Sequence, residues 1–188
     1  MSTEILKRGT GIVHRPKTTT ELMAEKSRQL TMKSQAANLV LLLDCSGSMS
    51  AIFAETTRYN AMINALPHLP QGRRVYFNSG VSTHQLPPSA STDLTSAIQF
   101  LHSYQEQKCL LISDGEPDDQ ESAMAAAVSS GKVFDVLFIG GDAGGKLFME
   151  SLAARTGGQV VVVNPKASDT GGTMLIADAA RLLLAPPK

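Results

Sequence analysis

Apolar residues in this chain fall into short continuous runs that alternate with segments in which apolar residues recur at helical spacing. Continuous runs that end at a turn or a polar residue are typical of strands buried on both faces of a sheet. The runs predict strands over residues 38–44, 74–78, 81–86, 108–113, 133–139 and 159–163. The helical spacing predicts helices over residues 52–66, 94–107, 120–130, 147–155 and 174–184. Strands and helices are therefore expected to alternate along most of the chain.

This alternation indicates the fold class. Helices between consecutive strands predict a parallel sheet, because a parallel connection has to return along the full length of the sheet. We therefore predict an α/β domain with a doubly wound, mostly parallel, six-stranded sheet and helices on both faces. Residues 81–86 follow a Ser79-Gly80 turn and are predicted to form one antiparallel edge strand. In such sheets ligands bind outside the carboxyl ends of the strands.

The formal net charge is zero, but the charges are unevenly distributed. Residues 1–36 hold seven Lys and Arg against three acidic residues, whereas residues 37–188 hold ten against fourteen. This difference predicts a basic N-terminal arm over 1–36 and a folded domain over 37–188. The arm is either helical over 21–34 or a segment that orders on a partner, and both readings stay open. Nucleic-acid binding is disfavoured because the arm is short and lacks aromatic residues.

Three features bear on the cellular compartment. No apolar run reaches the length of about 20 residues that a membrane-spanning helix needs. The N-terminal residues lack the continuous apolar segment of a secretory signal. Two cysteines in 188 residues do not make a disulfide framework. We expect a soluble cytoplasmic protein without membrane association, with the mature part of a processed protein as the alternative.

Oxygen-bearing side chains follow the predicted buried strands where the strands end. Asp44 ends the first strand, and Ser46 and Ser48 follow it in a tight turn. Asp114 comes directly after another buried strand, and Thr92 lies in a loop between the two, just before a helix. Carboxylate and hydroxyl oxygens suit a hard divalent cation such as Mg²⁺, which takes oxygen ligands at about 2.0–2.1 Å. Two carboxylates would balance the charge of that cation and leave room for an outside ligand.

These motifs resemble those of the von Willebrand factor type A (vWA) domains that carry a metal-ion-dependent adhesion site. The matching residues are Asp44-Cys45-Ser46-Gly47-Ser48, Thr92 within "STDL" and Asp114 within "SDGEPDD". The segment "RTGGQVVVV" also looks like the penultimate helix and last strand of that family. The resemblance covers residues 37–185 and implies the doubly wound Rossmann-like vWA fold.

The resemblance also implies a function. It implies Mg²⁺ (or Mn²⁺) held by Asp44, Ser46, Ser48, Thr92 and Asp114, and it implies protein binding rather than catalysis. The partner protein would supply a Glu or Asp carboxylate to the bound cation. Family members without signal peptides often resemble accessory factors of ATPases or larger assemblies, which suggests such a partner here. The oligomeric state stays open.

Several of these polar residues have a purely structural alternative. Ser48 or Ser50 could cap a helix, and Asp93 could cap the helix that begins at Leu94 instead of facing the site. An acidic run follows Asp114 and forms either a rim that selects a partner or a set of turn and N-cap residues around Pro117. The run consists of Glu116, Asp118 and Asp119. The structural reading of the run is favoured.

An enzyme is the alternative function. A Mg²⁺ ion between Asp44 and Asp114 could serve hydrolysis or phosphoryl transfer, with Ser46 as a nucleophile. The sequence lacks a P-loop, a GxSxG elbow around Ser46 and the second Asp of an aspartyl-phosphatase loop. These absences favour the binding module over the enzyme.

Overall fold

The computed structural model describes residues 38–89, 91–140, 143–165 and 171–185, together with Met23. Its strands are β1 (Leu39–Asp44), β2 (Ile52–Phe53), β3 (Thr56–Thr57), β4 (Arg73–Phe77), β5 (Val81–Ser82), β6 (Lys108–Ser113), β7 (Val133–Phe138) and β8 (Val160–Val162). Its α-helices are α1 (Arg58–Ala65), α2 (Leu94–Phe100), α3 (Gln120–Ser129), α4 (Ala143–Thr156) and α5 (Gly172–Leu183). Single 3-10 turns cover Gly47–Ser50, Leu66–His68 and Leu101–Ser103.

Six of the strands form one sheet in the order β5-β4-β1-β6-β7-β8. Every pair of neighbours is parallel except β4 and β5, which are antiparallel. The predicted fold class is thereby confirmed, including the antiparallel edge strand after the Ser79-Gly80 turn. Because β1 and β6 are parallel neighbours, their carboxyl ends meet at one edge of the sheet. Asp44 and Asp114 therefore lie side by side.

The central strand β1 is buried on both faces, as its continuous apolar run predicts. Leu39, Leu41 and Leu43 pack in one apolar layer with buried residues of α1 and α5. Val40 and Leu42 pack in the opposite layer with buried residues of α2, α3 and α4. Helices therefore cover both faces of the sheet. Polar groups of the central strands can be reached only at the sheet's ends, in the loops at its carboxyl edge.

The predicted helix over 52–66 is wrong in its first third. The chain forms the antiparallel hairpin β2–β3, and α1 begins only at Arg58, with its amino end capped by Thr57. Phe53 is buried against the start of α5, whereas Ile52 is 68% exposed. The carboxylate of Glu55 also accepts hydrogen bonds from the backbone N–H of Gly172, at 3.2 Å. These contacts with the other end of the chain hold the hairpin, and the local apolar spacing does not reveal them.

The other boundaries shift by smaller amounts. The predicted helix over 94–107 ends as an α-helix at Phe100 and continues as a single 3-10 turn. Helix α4 begins at Ala143, ahead of the predicted start at 147, and β5 spans two residues instead of six. The arm over 1–36 lies outside the described residues except for Met23, so its boundary at 37 stays a prediction. Within the described ranges, no helix combines the length and the hydropathy needed to cross a membrane.

Two glycines close the connection from α4 to β8. Gly157 follows the last helical residue with φ of +77°, a left-handed conformation that glycine adopts without strain. Gly158 donates a backbone hydrogen bond to the carbonyl of Ala153 at 2.8 Å. A Cβ atom at Gly158 would lie 1.9 Å from the carbonyl oxygen of Phe134. The backbone of this connection therefore packs directly on β7.

Candidate functional site

Asp44 is fully buried at the carboxyl end of β1, and both of its oxygens accept hydrogen bonds. Oδ1 accepts from the backbone N–H of Ser46 at 2.7 Å, and Oδ2 accepts from the hydroxyl of Ser113 at 2.6 Å. Ser113 is the last residue of the neighbouring strand β6, so the two strands jointly fix the carboxylate. Ser113 is not among the residues predicted from the sequence, although it ends a predicted strand just before Asp114.

The protonation of Asp44 is set by competing effects. Burial raises the pKa of this carboxyl from its ordinary 3.8 to about 6. The hydrogen bonds from Ser113 and from the backbone of Ser46 act in the opposite direction, and the nearby charge of Asp114 adds to the rise. In the metal-free protein Asp44 is thus a buried carboxylate at neutral pH that a nearby cation would stabilise.

The serine hydroxyls connect this carboxylate to Asp114. The hydroxyl of Ser48 donates to Oδ1 of Asp114 at 2.8 Å, and the Oγ atoms of Ser46 and Ser48 lie 3.0 Å apart. Four of the predicted ligands, Asp44, Ser46, Ser48 and Asp114, therefore form one connected group. Helix α1 is capped by Thr57, so the helix-cap alternative for Ser48 and Ser50 is wrong.

Arg58 also contacts this group, although it is not among the residues predicted from the sequence. Its Nη1 atom lies 2.5 Å from Oδ2 of Asp114 and 3.4 Å from the carbonyl oxygen of Ser48. The Asp114 side chain is completely buried, and the Arg58 side chain is 18% exposed. Arg58 is 56 positions away from Asp114 in sequence, so no local pattern could have indicated the ion pair.

Thr92 lies at the same edge of the sheet, in the loop before α2, and is mostly buried. Its backbone N–H donates to Asp118 at 3.0 Å, and its carbonyl oxygen accepts from the backbone N–H of Asp118 at 3.1 Å. The loop that holds Asp114 is therefore bound to the loop that holds Thr92. These bonds join the third predicted loop to the loop after β6 through its backbone, and the role of Thr92 as a metal ligand stays a prediction.

The neighbouring acidic residues act mainly as structural groups. Asp93 accepts from the backbone N–H of Ser96 at 2.9 Å and caps α2, which supports Thr92 rather than Asp93 as the residue of the site. Asp119 caps α3 in the same way. Asp118 binds the Thr92 loop, and Glu116 accepts a hydrogen bond from Gln120 at 2.7 Å. The structural reading of the acidic run thus accounts for its members.

The donor set fits a hard cation in type. Two carboxylates and two hydroxyls converge from the loops after β1 and β6, and no thiol or imidazole of the described residues takes part. Among the residues that the structure describes, no three His, Cys, Asp or Glu side chains cluster as metal ligands. A cation here would thus depend on the serine hydroxyls, on water and on an outside ligand in addition to Asp44 and Asp114.

Comparisons with known proteins bear on the fold. No protein-family model matches the sequence, and no curated protein matches it. Among solved structures, the chain is similar to the SpRpn10 VWA domain, with a TM-score of 0.54 and 14% identity over 78% of this chain and 95% of that one. It is also similar to a von Willebrand factor type A protein from Catenulispora acidiphila, with a TM-score of 0.55 and 15% identity. That match covers 79% of this chain and 42% of the other. The chain therefore has the fold of vWA domains.

Proposed function

We propose that this protein is a metal-dependent protein-binding module. Asp44, Ser46, Ser48, Thr92 and Asp114 hold Mg²⁺ (or Mn²⁺) at the carboxyl edge of the sheet, directly or through water. The observation that carries the proposal is the connected group of Asp44, Ser46, Ser48 and Asp114, which joins loops from two neighbouring strands. Five oxygen-bearing residues in the order of an adhesion-site motif, on a vWA fold, support the same conclusion.

The partner in this proposal is a protein that supplies a Glu or Asp side chain. A cation held by two carboxylates and neutral hydroxyls retains affinity for one more anionic oxygen, and a partner carboxylate provides it. By analogy with the vWA domains it resembles, we propose a larger assembly or an ATPase as the source of that carboxylate. We further propose a reducing cytoplasmic compartment, since Cys45 and Cys109 are buried free thiols.

The proposed role is not enzymatic. A serine nucleophile requires a free base within hydrogen-bond reach. The carboxylate next to Ser46 is Asp44, whose two oxygens already accept from the backbone N–H of Ser46 and from Ser113. No histidine or lysine contacts the Ser46 hydroxyl among the described residues. The alternative of a Mg²⁺-dependent hydrolase or phosphoryl-transfer enzyme using Asp44 and Asp114 is tested directly with p-nitrophenyl phosphate and Mg²⁺. Turnover that disappears in Asp44→Ala would favour the enzyme over the binding module.

Calorimetric titration with Mg²⁺ and with Mn²⁺ tests the metal site. We expect saturable binding to the wild-type protein, none to Asp44→Ala, and unchanged binding to Asp178→Ala, which removes an exposed carboxylate on α5. Binding that survives in Asp44→Ala would contradict the proposed site. Water-proton relaxation of the Mn²⁺ complex then tests the open position. A short glutamate-rich peptide should displace Mn²⁺-bound water, whereas the same peptide with glutamine should not.

A further inference from the structure

We propose that Arg58 is a built-in counter-ion that competes with the divalent cation for Asp114 and thereby sets the cation affinity of the site. Because it concerns the same site, this inference rests on the proposed function. It assigns a role to a residue that lies outside the metal-site motif, on the first turn of α1.

Both carboxylate oxygens of Asp114 already accept hydrogen bonds. One oxygen accepts from Ser48 and the other from Arg58, and the whole side chain is excluded from solvent. A cation that uses Asp114 as a ligand must therefore displace one of these donors or share an oxygen with it. Ser48 is itself a proposed ligand, which leaves the guanidinium of Arg58 as the group to be displaced.

Charge balance leads to the same conclusion. Asp44 and Asp114 together carry two negative charges when ionised, and Arg58 compensates one of them. Adding a divalent cation with the guanidinium in place leaves the buried group with one excess positive charge. Like charges a few ångströms apart repel strongly away from bulk water. Cation binding is thus coupled to the departure of Arg58 from Asp114.

One hydrogen-bond donor of Arg58 has no partner, which lowers the free-energy cost of moving this side chain away from Asp114. Its Nε atom is buried and has no hydrogen-bond partner among the described residues. A buried donor without a partner is a cost that disappears when the side chain moves to solvent. The guanidinium lies against Gly140, where a Cβ atom would be 3.2 Å from Nη2. The Gly140 backbone therefore packs against the guanidinium but leaves Nε without a hydrogen bond.

The test is a Mg²⁺ and Mn²⁺ titration of the wild-type protein, Arg58→Gln and Arg58→Lys, with Arg155→Gln as the matched control. Arg155 is an exposed arginine in the last turn of α4, at the opposite edge of the sheet. We expect Arg58→Gln to bind Mg²⁺ at least about tenfold more tightly than the wild type, since a positive charge next to the cation is removed. Arg58→Lys keeps the positive charge and should bind Mg²⁺ like the wild type, as should Arg155→Gln.

Thermal unfolding gives a second readout that does not depend on bound metal. In EDTA, Arg58→Gln should melt at a lower temperature than the wild type, because Asp114 loses its counter-ion. Addition of Mg²⁺ should raise its melting temperature more than it raises that of the wild type.

The outcomes separate the inference from the proposed function. Wild-type binding with equal or weaker binding by Arg58→Gln would overturn the role of Arg58 and leave the metal site intact. No binding by the wild type, Arg58→Gln or Arg58→Lys would overturn both. Binding by Arg58→Gln but not by the wild type would support the inference in its strongest form. If Arg58→Gln fails to fold in EDTA, its refolding on addition of Mg²⁺ decides, and failure to refold at Mg²⁺ concentrations that saturate the wild type would count against the competition.

Discussion

Replacing Asp44 by Asn should make the metal-free protein more stable while abolishing metal binding. Asn is nearly isosteric with Asp, so its carbonyl oxygen can accept from the backbone of Ser46 and its amide can donate to Ser113. The substitution therefore keeps these hydrogen-bond partners and removes the buried negative charge. A pKa raised from 3.8 to about 6 corresponds to about 3 kcal/mol of stability lost when the carboxyl ionises in the folded chain.

The pH dependence follows from the direction of that shift. Well below pH 3.8 the carboxyl of Asp44 is protonated in both the folded and the unfolded chain, so its ionisation costs nothing. As pH rises from 3.8 to about 6 the unfolded chain releases its proton more readily, and the folded state loses stability relative to it. Above this range the full cost is present. The Asn variant has no such cost at any pH.

Urea denaturation in EDTA between pH 4 and pH 8 measures this difference. We expect the free energies of unfolding of the wild type and Asp44→Asn to be similar near pH 4. The difference should approach about 3 kcal/mol in favour of the variant at pH 8. Asp178→Asn, an exposed carboxylate, should show no such trend. A pH-independent difference, or a variant less stable than the wild type at pH 8, would refute the reasoning.

Three further predictions concern positions around the site and the fold. Ser113→Ala should lower the free energy of unfolding of the metal-free protein, measured by urea denaturation, by about 1–3 kcal/mol. The buried Oδ2 atom of Asp44 loses its hydrogen-bond donor in this variant. Gly158→Ala should lower the melting temperature severely or prevent folding, because its methyl group would overlap the carbonyl of Phe134. Asp93→Ala should cost about 1 kcal/mol through loss of the α2 cap, with Mg²⁺ affinity unchanged in calorimetry.

Each of these three substitutions has a matched control variant. Ser103→Ala removes an exposed hydroxyl and should cost less than Ser113→Ala. Gly80→Ala adds a methyl group in open space and should fold normally. Thr92→Ala should weaken Mg²⁺ binding, in contrast to its neighbour Asp93→Ala. Equal stability losses within the first two pairs, or a loss of metal affinity in Asp93→Ala, would contradict the corresponding interpretation.

The sheet could be predicted from sequence because its central strands are buried on both faces. The runs over 38–44 and 108–113 are continuous and end at acidic or hydroxyl residues, and the structure has β1 and β6 at nearly these positions. A continuous apolar run is a local property of the sequence, so the burial of these two strands could be predicted from it. The parallel fold class puts Asp44 and Asp114 at the same edge of the sheet, whereas their adjacency depends on β1 and β6 being neighbours in the strand order.

The hairpin and the ion pair could not be predicted, because distant parts of the chain determine them. Ile52 and Phe53 have an apolar spacing compatible with a helix, yet Phe53 is fixed by the start of α5. Ala54 adopts a φ of 53° in the turn, which a helix does not allow. Arg58 likewise is an ordinary polar residue of a first helical turn until the fold brings Asp114 within 2.5 Å of it.

The outermost strands of the sheet have a consequence for behaviour at high concentration. In the described part of the chain, β5 contributes two residues and β8 contributes three. Unpaired strand edges are where neighbouring molecules add strands and aggregates begin to grow. Edges this short offer an incoming strand few backbone donors and acceptors. The brevity of these two strands therefore protects the folded protein against edge-to-edge aggregation.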